Sequence, residues 1–301
     1  MTATITRRAT PAPAAPSHPN RRRRRGILAV VIGMVVLVVF ALVFLYPFVI
    51  QIAGSFKSDA DAAAHPLSPI PHGATIAHSF AKLFNGSTDF PLWTLNSVVV
   101  TLFVTGGRIL LDSLAGYALS RLHFPGRGTL FAGTIAVMAV PPVVLLIPKF
   151  LVLNQLGIYD TYSAMILPLL ADAGGVFIMK QFFETVPVSL EEAARIDGAG
   201  TFRIWWSVIL PMAKPALITL TILSFQGSWN EFTSMLVAVQ SPGLYTLPRG
   251  LADLVSGSLG AGTQYPLKLS AALLATIPVA IVFIIFQRRF VRGANEGGVK
   301  G

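Results

Sequence analysis

The chain has 301 residues, of which 53% are hydrophobic and 12% charged, with a mean hydropathy of +0.68. Soluble domains carry roughly 25% charged residues, so this composition excludes a single water-soluble globule and, over most of the length, disorder. Net charge is +10 and cysteine is absent, which removes disulfide frameworks, thiolate metal sites and thiol catalysis.

Residues 1–25 are rich in Pro and Ala and close on five consecutive arginines, Arg21 to Arg25. Such a segment cannot bury a core and is expected to be a disordered, basic tail. Residues 26–50 follow without a charge. The run is about twice the 7–15 residues of a signal-peptide core, so an uncleaved first membrane span is expected. The longest loop, 51–91, contains Pro66, Pro69, Pro71 and Gly73. His65, His72 and His78 sit in it. No Cys or clustered carboxylate accompanies them, so exposed loop histidines are expected rather than a metal site.

Five more apolar stretches reach spanning length: 92–119, 129–148, 161–179, 215–239 and 269–286. Arg108 and Asp112 fall inside the second span, spaced i, i+4, and are expected to pair along one helix face. The third carries Pro141, Pro142 and Pro148, and the sixth Pro278, where bends are expected. Asp172 lies in the fourth, beside Gly174 and Gly175. The fifth contains a polar break, Gln226-Gly227-Ser228-Trp229-Asn230-Glu231. Buried ionisable groups in spans usually serve a pathway or a partner helix. An aromatic face beside polar groups suits a sugar, so Gln226, Trp229, Asn230, Glu231 and Asp172 are pathway candidates; helix packing is the alternative.

The fold class read from these elements is all-α: a polytopic membrane protein of six transmembrane helices. With both termini placed in the cytoplasm, 17 of the 23 basic residues lie on the cytoplasmic side and 5 on the other, with Arg108 inside a span. This obeys the positive-inside rule, so the charge reads as topology and not as nucleic-acid binding.

The loop from Glu184 to Lys214 carries most of the functional information. Ser189 and Glu192 have capping-box spacing, which predicts a short helix from Leu190 with Ser189 as N-cap. Gly198 and Gly200 are expected to end it, and Thr201 to cap a second helix running toward Leu210 that Pro211 redirects. Leu190, Ala193, Ala194 and Ile196 give this helix an apolar side, and Glu191, Glu192, Arg195 and Asp197 a charged rim. That layout fits a groove on a partner better than a lipid surface.

Glu192-Ala193-Ala194, followed by Asp197-Gly198-Ala199 and Leu210-Pro211, resembles the EAA loop of binding-protein-dependent ABC importer permeases. Val208 stands where that pattern has Ile. The run from Tyr117 to Arg127 resembles the loop after the second span of sugar permeases, and Trp229-Asn230-Glu231-Phe232 their fifth-span signature. The end of the chain, from Phe290-Val291-Arg292-Gly293, is similar as well. Together these cover roughly residues 40 to 301, in the maltose and glycerol-3-phosphate type of second permease.

The resemblance implies a permease subunit in a bacterial or archaeal inner membrane. Its partners would be a second, different permease subunit, two ATPase subunits and an extracytoplasmic solute-binding protein. The coupling helix between spans four and five would seat Glu191, Glu192, Ala193, Ala194, Asp197, Gly198, Ala199, Leu210 and Pro211 against an ATPase. No GxxxxGK[ST] occurs in the chain, so ATP and Mg would be held by the ATPase subunits, and no cofactor by this one. The alternative is an ion-coupled carrier using Asp112, Asp172 or Glu231. An enzyme is a poor reading, since HExxH and GxSxG are missing and no metal cluster is evident.

Overall fold

The computed structural model describes residues 20–72, 76–85, 88–256 and 265–297. Residues 1–19, most of the expected tail, lie outside them. The described residues are helical with no strand among them. They divide into two units, Met1–Ile50 and Gln51–Gly301. The first is the greater part of helix α1 (Asn20–Ser55), which begins five residues before the expected end of the tail and carries Pro47 in its interior.

In the second unit, α2 (Asp59–Ala64) and α3 (Ile76–Phe84) occupy the expected long loop. Ser58 caps α2 by accepting the Asp61 N–H, and Asp59 and Asp61 suit its N-terminal dipole. The spine is α4 (Phe90–Arg121), 32 residues without a break and about 48 Å long at 1.5 Å per residue.

The third span is broken. α5 (Arg127–Met138) and the segment Pro142–Gln155, a 3₁₀ turn continued by α6 (Leu146–Gln155), meet at 99°. Pro141 precedes Pro142 and is forced extended, with φ −61° and ψ 128°, so the bend falls where two adjacent prolines remove donors and exclude the α-region. The fourth span is α7 (Tyr162–Ile166), a 3₁₀ turn at Leu167–Leu169 and α8 (Ala173–Thr185). α8 starts at a cap: the Asp172 carboxylate accepts the Gly175 N–H at 3.0 Å.

After α8 come α9 (Ser189–Ile196), α10 (Thr201–Ile204), a π-turn at Trp205–Ile209 and α11 (Leu210–Met212). Thr201–Met212 then meets α12 (Lys214–Trp229) at 84°, pivoting at Ala213. α13 (Thr233–Ala238) completes the fifth span beyond the polar break. α14 (Leu247–Ser256) and α15 (Tyr265–Gly297) follow, and α15 runs helically through Pro278 where a bend was expected. Four described stretches are long and apolar enough to cross a membrane, and six if each bent pair counts once.

Small residues set the central crossings. Gly116 of α4 lies against the α8 backbone: a Cβ there would sit 2.7 Å from Met179 Cβ and 2.9 Å from Lys180 N. Gly175 of α8 lies against α4, with only 2.1 Å between a Cβ and Asp112 Oδ2. Such close backbones are how helices associate in lipid, where apolar surface gains nothing by leaving the tails. One buried cluster, including Trp93, Val100, Trp229, Met235 and Leu247, packs the N-terminal half of α4. A second, including Tyr117, Phe183, Ile204, Trp205 and Ile209, lies under α9.

Candidate functional site

The segment around α9 is built by three local features. Val188 is already helical, with φ −62° and ψ −29°, and its carbonyl accepts the N–H groups of Glu191 and Glu192. Ser189 is therefore the first helical residue and not the N-cap, and its side chain makes no cap bond; the expected capping box does not form because the turn closes one residue earlier. The C-terminus is a Schellman motif: Gly198 has φ +80°, its N–H reaches Arg195 O at 3.0 Å, and Ala199 N–H reaches Ala194 O at 2.9 Å. Gly200 has ordinary φ and occupies the N-cap of α10 in place of Thr201.

The π-turn follows from Pro211. Lacking an N–H, Pro211 gives no bond back into the preceding turn, and the ladder widens so that Leu210 N–H bonds Trp205 O, five residues back.

Glu191 and Glu192 diverge. Glu192 is exposed, but Glu191 is buried and turned away from the expected rim. Its Oε1 lies 3.1 Å from Arg121 Nε, and its Oε2 accepts the Tyr117 hydroxyl at 3.3 Å. Arg121 also donates to the carbonyls of Phe183 and Val186, at the C-terminal end of α8. One guanidinium thus joins the last turn of α4, the end of α8 and the first turn of α9, and places positive charge where two helix dipoles end. In the sequence Tyr117 and Arg121 stand within the motif that follows the second span, and their i, i+4 spacing is the signal that they share a face.

The remaining residues of α9 point outward. Ala193, Asp197 and Gly198 are exposed, Ala194 is half-buried, and Ile196 is 87% exposed. Leu190, Phe202 and Trp206 are exposed too, so the segment that carries the Glu192 and Asp197 carboxylates also presents large apolar side chains outward. Ala199 and Leu210 are half-buried against the cluster under α9, and Pro211 is exposed at the turn toward α12. Beside α9 is a polar cleft of about 460 Å³ lined by Arg121, His123, Arg127, Glu191, Glu192 and Arg195 among others.

The pathway candidates separate into two groups. Gln226 and Asn230 are exposed on one face of α12. Trp229 is buried, stacks on Phe225 at 5.8 Å and donates its indole N–H to Ala275 O at 3.0 Å, which joins α12 to α15. Glu231 accepts the Ser234 N–H at 2.7 Å and so caps α13 across the polar break. Asp172 is the cap of α8 and is exposed.

The expected ion pair of Arg108 and Asp112 is not among the salt bridges of the described residues. Helical side chains lean toward the N-terminus, so with base before acid Arg108 reaches away from Asp112. Its Nε donates to Leu169 O at 2.7 Å. Asp112 accepts the Asp172 N–H at 2.9 Å, so Arg108 and Asp112 both tie α4 into the broken fourth span.

The family model described as "Binding-protein-dependent transport system inner membrane component" matches residues 109–296. The chain belongs to that family. The permease is 33% identical to the arabinooligosaccharides transport system permease protein AraQ of Bacillus subtilis over 262 residues, covering 87% of this chain and 92% of the relative. The sn-glycerol-3-phosphate transport system permease protein UgpE of Yersinia pestis is 34% identical, covering 86% and 93%. The sulfoquinovosyl glycerol transport system permease protein SmoH of Agrobacterium fabrum is 34% identical, covering 85% and 89%. Among solved structures, a bacterial ABC transporter for import of the acidic polysaccharide alginate matches with a TM-score of 0.74 and 27% identity over 91% of this chain and 99% of that one.

The permease is thus a multi-pass inner-membrane subunit of an ABC importer, working with ATPase and further permease subunits, and is not itself an enzyme. The reading as an ion-coupled carrier finds no support: its relatives are ABC importer permeases, and Asp112, Asp172 and Glu231 each serve a backbone N–H in the fold.

Proposed function

We propose that the permease forms half of the import pathway for a sugar or sugar-like solute and is driven by ATPase subunits that hold α9 in a surface cleft. The observation that carries this reading is the division of labour within α9. Glu191 fastens the helix inward to α4 and α8, while Glu192, Ala193, Ile196, Asp197 and Gly198 present a small, mixed apolar and acidic surface outward. ATP and Mg belong to the ATPase subunits. The excess of basic residues on the α9 side supports a cytoplasmic location for that side and for both termini. A solute-binding protein then delivers the solute to the opposite face, and a second, different permease completes the pathway. The named relatives handle polyhydroxylated solutes, and Gln226 and Asn230 supply exposed amide groups suited to hydroxyls.

Gly198→Asp tests the coupling. A Cβ at Gly198 meets nothing within 4 Å inside this chain, but at φ +80° any side chain is strained by about 1 kcal/mol, so Gly198→Asn, which carries the same strain without the charge, is the control. In proteoliposomes holding the complete transporter, Gly198→Asp is expected to abolish uptake and solute-stimulated ATP hydrolysis, with normal membrane insertion. Uptake at the parental rate would overturn the assignment of α9 to the ATPase contact.

A further inference from the structure

A separate cluster of ligating groups lies between α1 and α3. The Asp61 side chain, in the first turn of α2, is only 5% exposed. Its Oδ2 accepts the His72 N–H at 2.8 Å, which fixes the rotation of the carboxylate. Oδ1 consequently faces two imidazoles, with His65 Nδ1 at 3.2 Å and His72 Nδ1 at 3.4 Å. The two rings lie 4.8 Å apart and each side chain is about half exposed. The three ligand atoms all fall within 4.8 Å of one another.

We propose that Asp61, His65 and His72 form a binding site for a divalent transition metal of the zinc type, with a fourth position open to water. Two imidazoles and a carboxylate are a donor set that suits zinc. Metal–ligand bonds of about 2.0–2.1 Å put the corners of a tetrahedron about 3.3–3.4 Å apart, and the two Oδ1 to Nδ1 separations match that edge. The His72 N–H on Oδ2 is the kind of outer bond that holds a ligating carboxylate in place.

Lys57 orders the same segment. It is buried, and its Nζ donates to His65 O at 2.6 Å and Ser68 O at 2.8 Å, which closes the chain between the two histidines. Its charge opposes a second cation and is not cancelled by the two carbonyls it bonds; the Asp61 carboxylate, which faces the imidazoles, is the group that offsets it. The neighbouring Asp59 and Lys82 pair with each other at 3.8 Å. A bound ion would fasten the loop from His65 to His72 onto α2. The rival occupant of this geometry is a proton, shared between each Nδ1 and Oδ1.

The experiment uses the full-length chain in detergent, purified on a tag without histidine and stripped with chelator. Zn²⁺ is titrated calorimetrically, and Co²⁺ is followed by its visible absorption. One equivalent of Zn²⁺ and the d–d bands of four-coordinate Co²⁺ are expected. His65→Gln and His72→Gln, both at exposed rings, should each weaken Zn²⁺ binding about tenfold or more. The double variant should lose the Co²⁺ bands with its circular dichroism unchanged. His18, His78 and His123 remain in that variant, so binding it retains at parental affinity overturns the proposal in favour of those residues, and the absence of binding in the parent overturns it in favour of a proton-bridged cluster.

Discussion

Glu191→Gln probes the joint between α9 and the membrane helices. The two ionic side chains are 4% and 7% exposed, so the pair is buried. Removing one member of a buried pair costs about 3–5 kcal/mol when the survivor is left without partners. Here the loss is smaller: the amide retains a bond to the Tyr117 hydroxyl, and Arg121 retains the Phe183 and Val186 carbonyls. About 2 kcal/mol is expected, which raises the locally opened fraction of α9 roughly thirtyfold. Hydrogen exchange of the amides at 192–199 in reconstituted permease reads this directly, because those amides close α9 and its C-terminal cap. A double-mutant cycle with Arg121→Gln should give a coupling energy of about 1 kcal/mol or more. Unchanged exchange at 192–199 in Glu191→Gln, or additive effects in the cycle, would refute the idea that the pair holds α9.

Three further outcomes follow from the geometry. Gly116→Ala should destabilise the α4–α8 crossing by about 1–3 kcal/mol, because its Cβ meets Met179 and the Lys180 backbone within 3 Å, whereas Gly106→Ala, with open space around it, should be neutral; thermal unfolding in detergent distinguishes them. Trp229→Phe should cost about 1 kcal/mol through the lost bond to Ala275 O, and Asn230→Ala should leave unfolding unchanged while altering uptake kinetics. Asp160 is held below the usual carboxylate range by the Ser241 hydroxyl first, then by the N–H groups of Ser241 and Gln240. Its folded pKa is depressed, so its contribution is complete above about pH 4 and is lost as pH falls through the folded value; Asp160→Asn should abolish that pH dependence in protease protection of the 238–241 segment.

Much of this molecule is legible in one sequence because lipid imposes a length and an apolar composition on every span. The breaks were legible in part. Pro141-Pro142 announces a bend, since two adjacent residues lose donors and one is barred from the α-region. The pivot at Ala213 lies between Pro211 and Pro215, and the interruption before Asp172 follows Pro168, so both are marked, but a single proline does not say how far a helix turns. The charges and glycines of α9 mark it in the sequence, and Gly198 supplies the positive φ. The direction of Glu191 was not legible: periodicity gives a face, but the cluster under α9 decides which face turns inward. The same limit hid the Asp61 cluster. Asp61 and His65 are one helical turn apart, but His72 joins them only because Lys57 folds the intervening prolines back.

The distribution of breaks bears on how movement of α9 would reach the pathway. α4 is continuous over 32 residues, and it meets α8 through two glycine contacts too close to accommodate a methyl group. Arg121 fastens α9 to the ends of both. Displacement of α9 is therefore transmitted to α4 and α8 together, because sliding one past the other would separate Gly116 from the Lys180 backbone and Gly175 from Asp112. Compliance must lie where the backbone is already interrupted: at Ala213, where α12 leaves at 84°, and at the diproline bend of the third span. α12 carries Gln226, is followed at its C-cap by Asn230, and lies beyond the first of these pivots. Its polar face changes angle against α4 only where the packing of Trp229 and Ser228 on α4 gives way, while the α4–α8 pair moves as one piece. Stiffening Ala213 should then impair uptake without loosening α9, and hydrogen exchange at 192–199 would separate that effect from damage to the Arg121 joint.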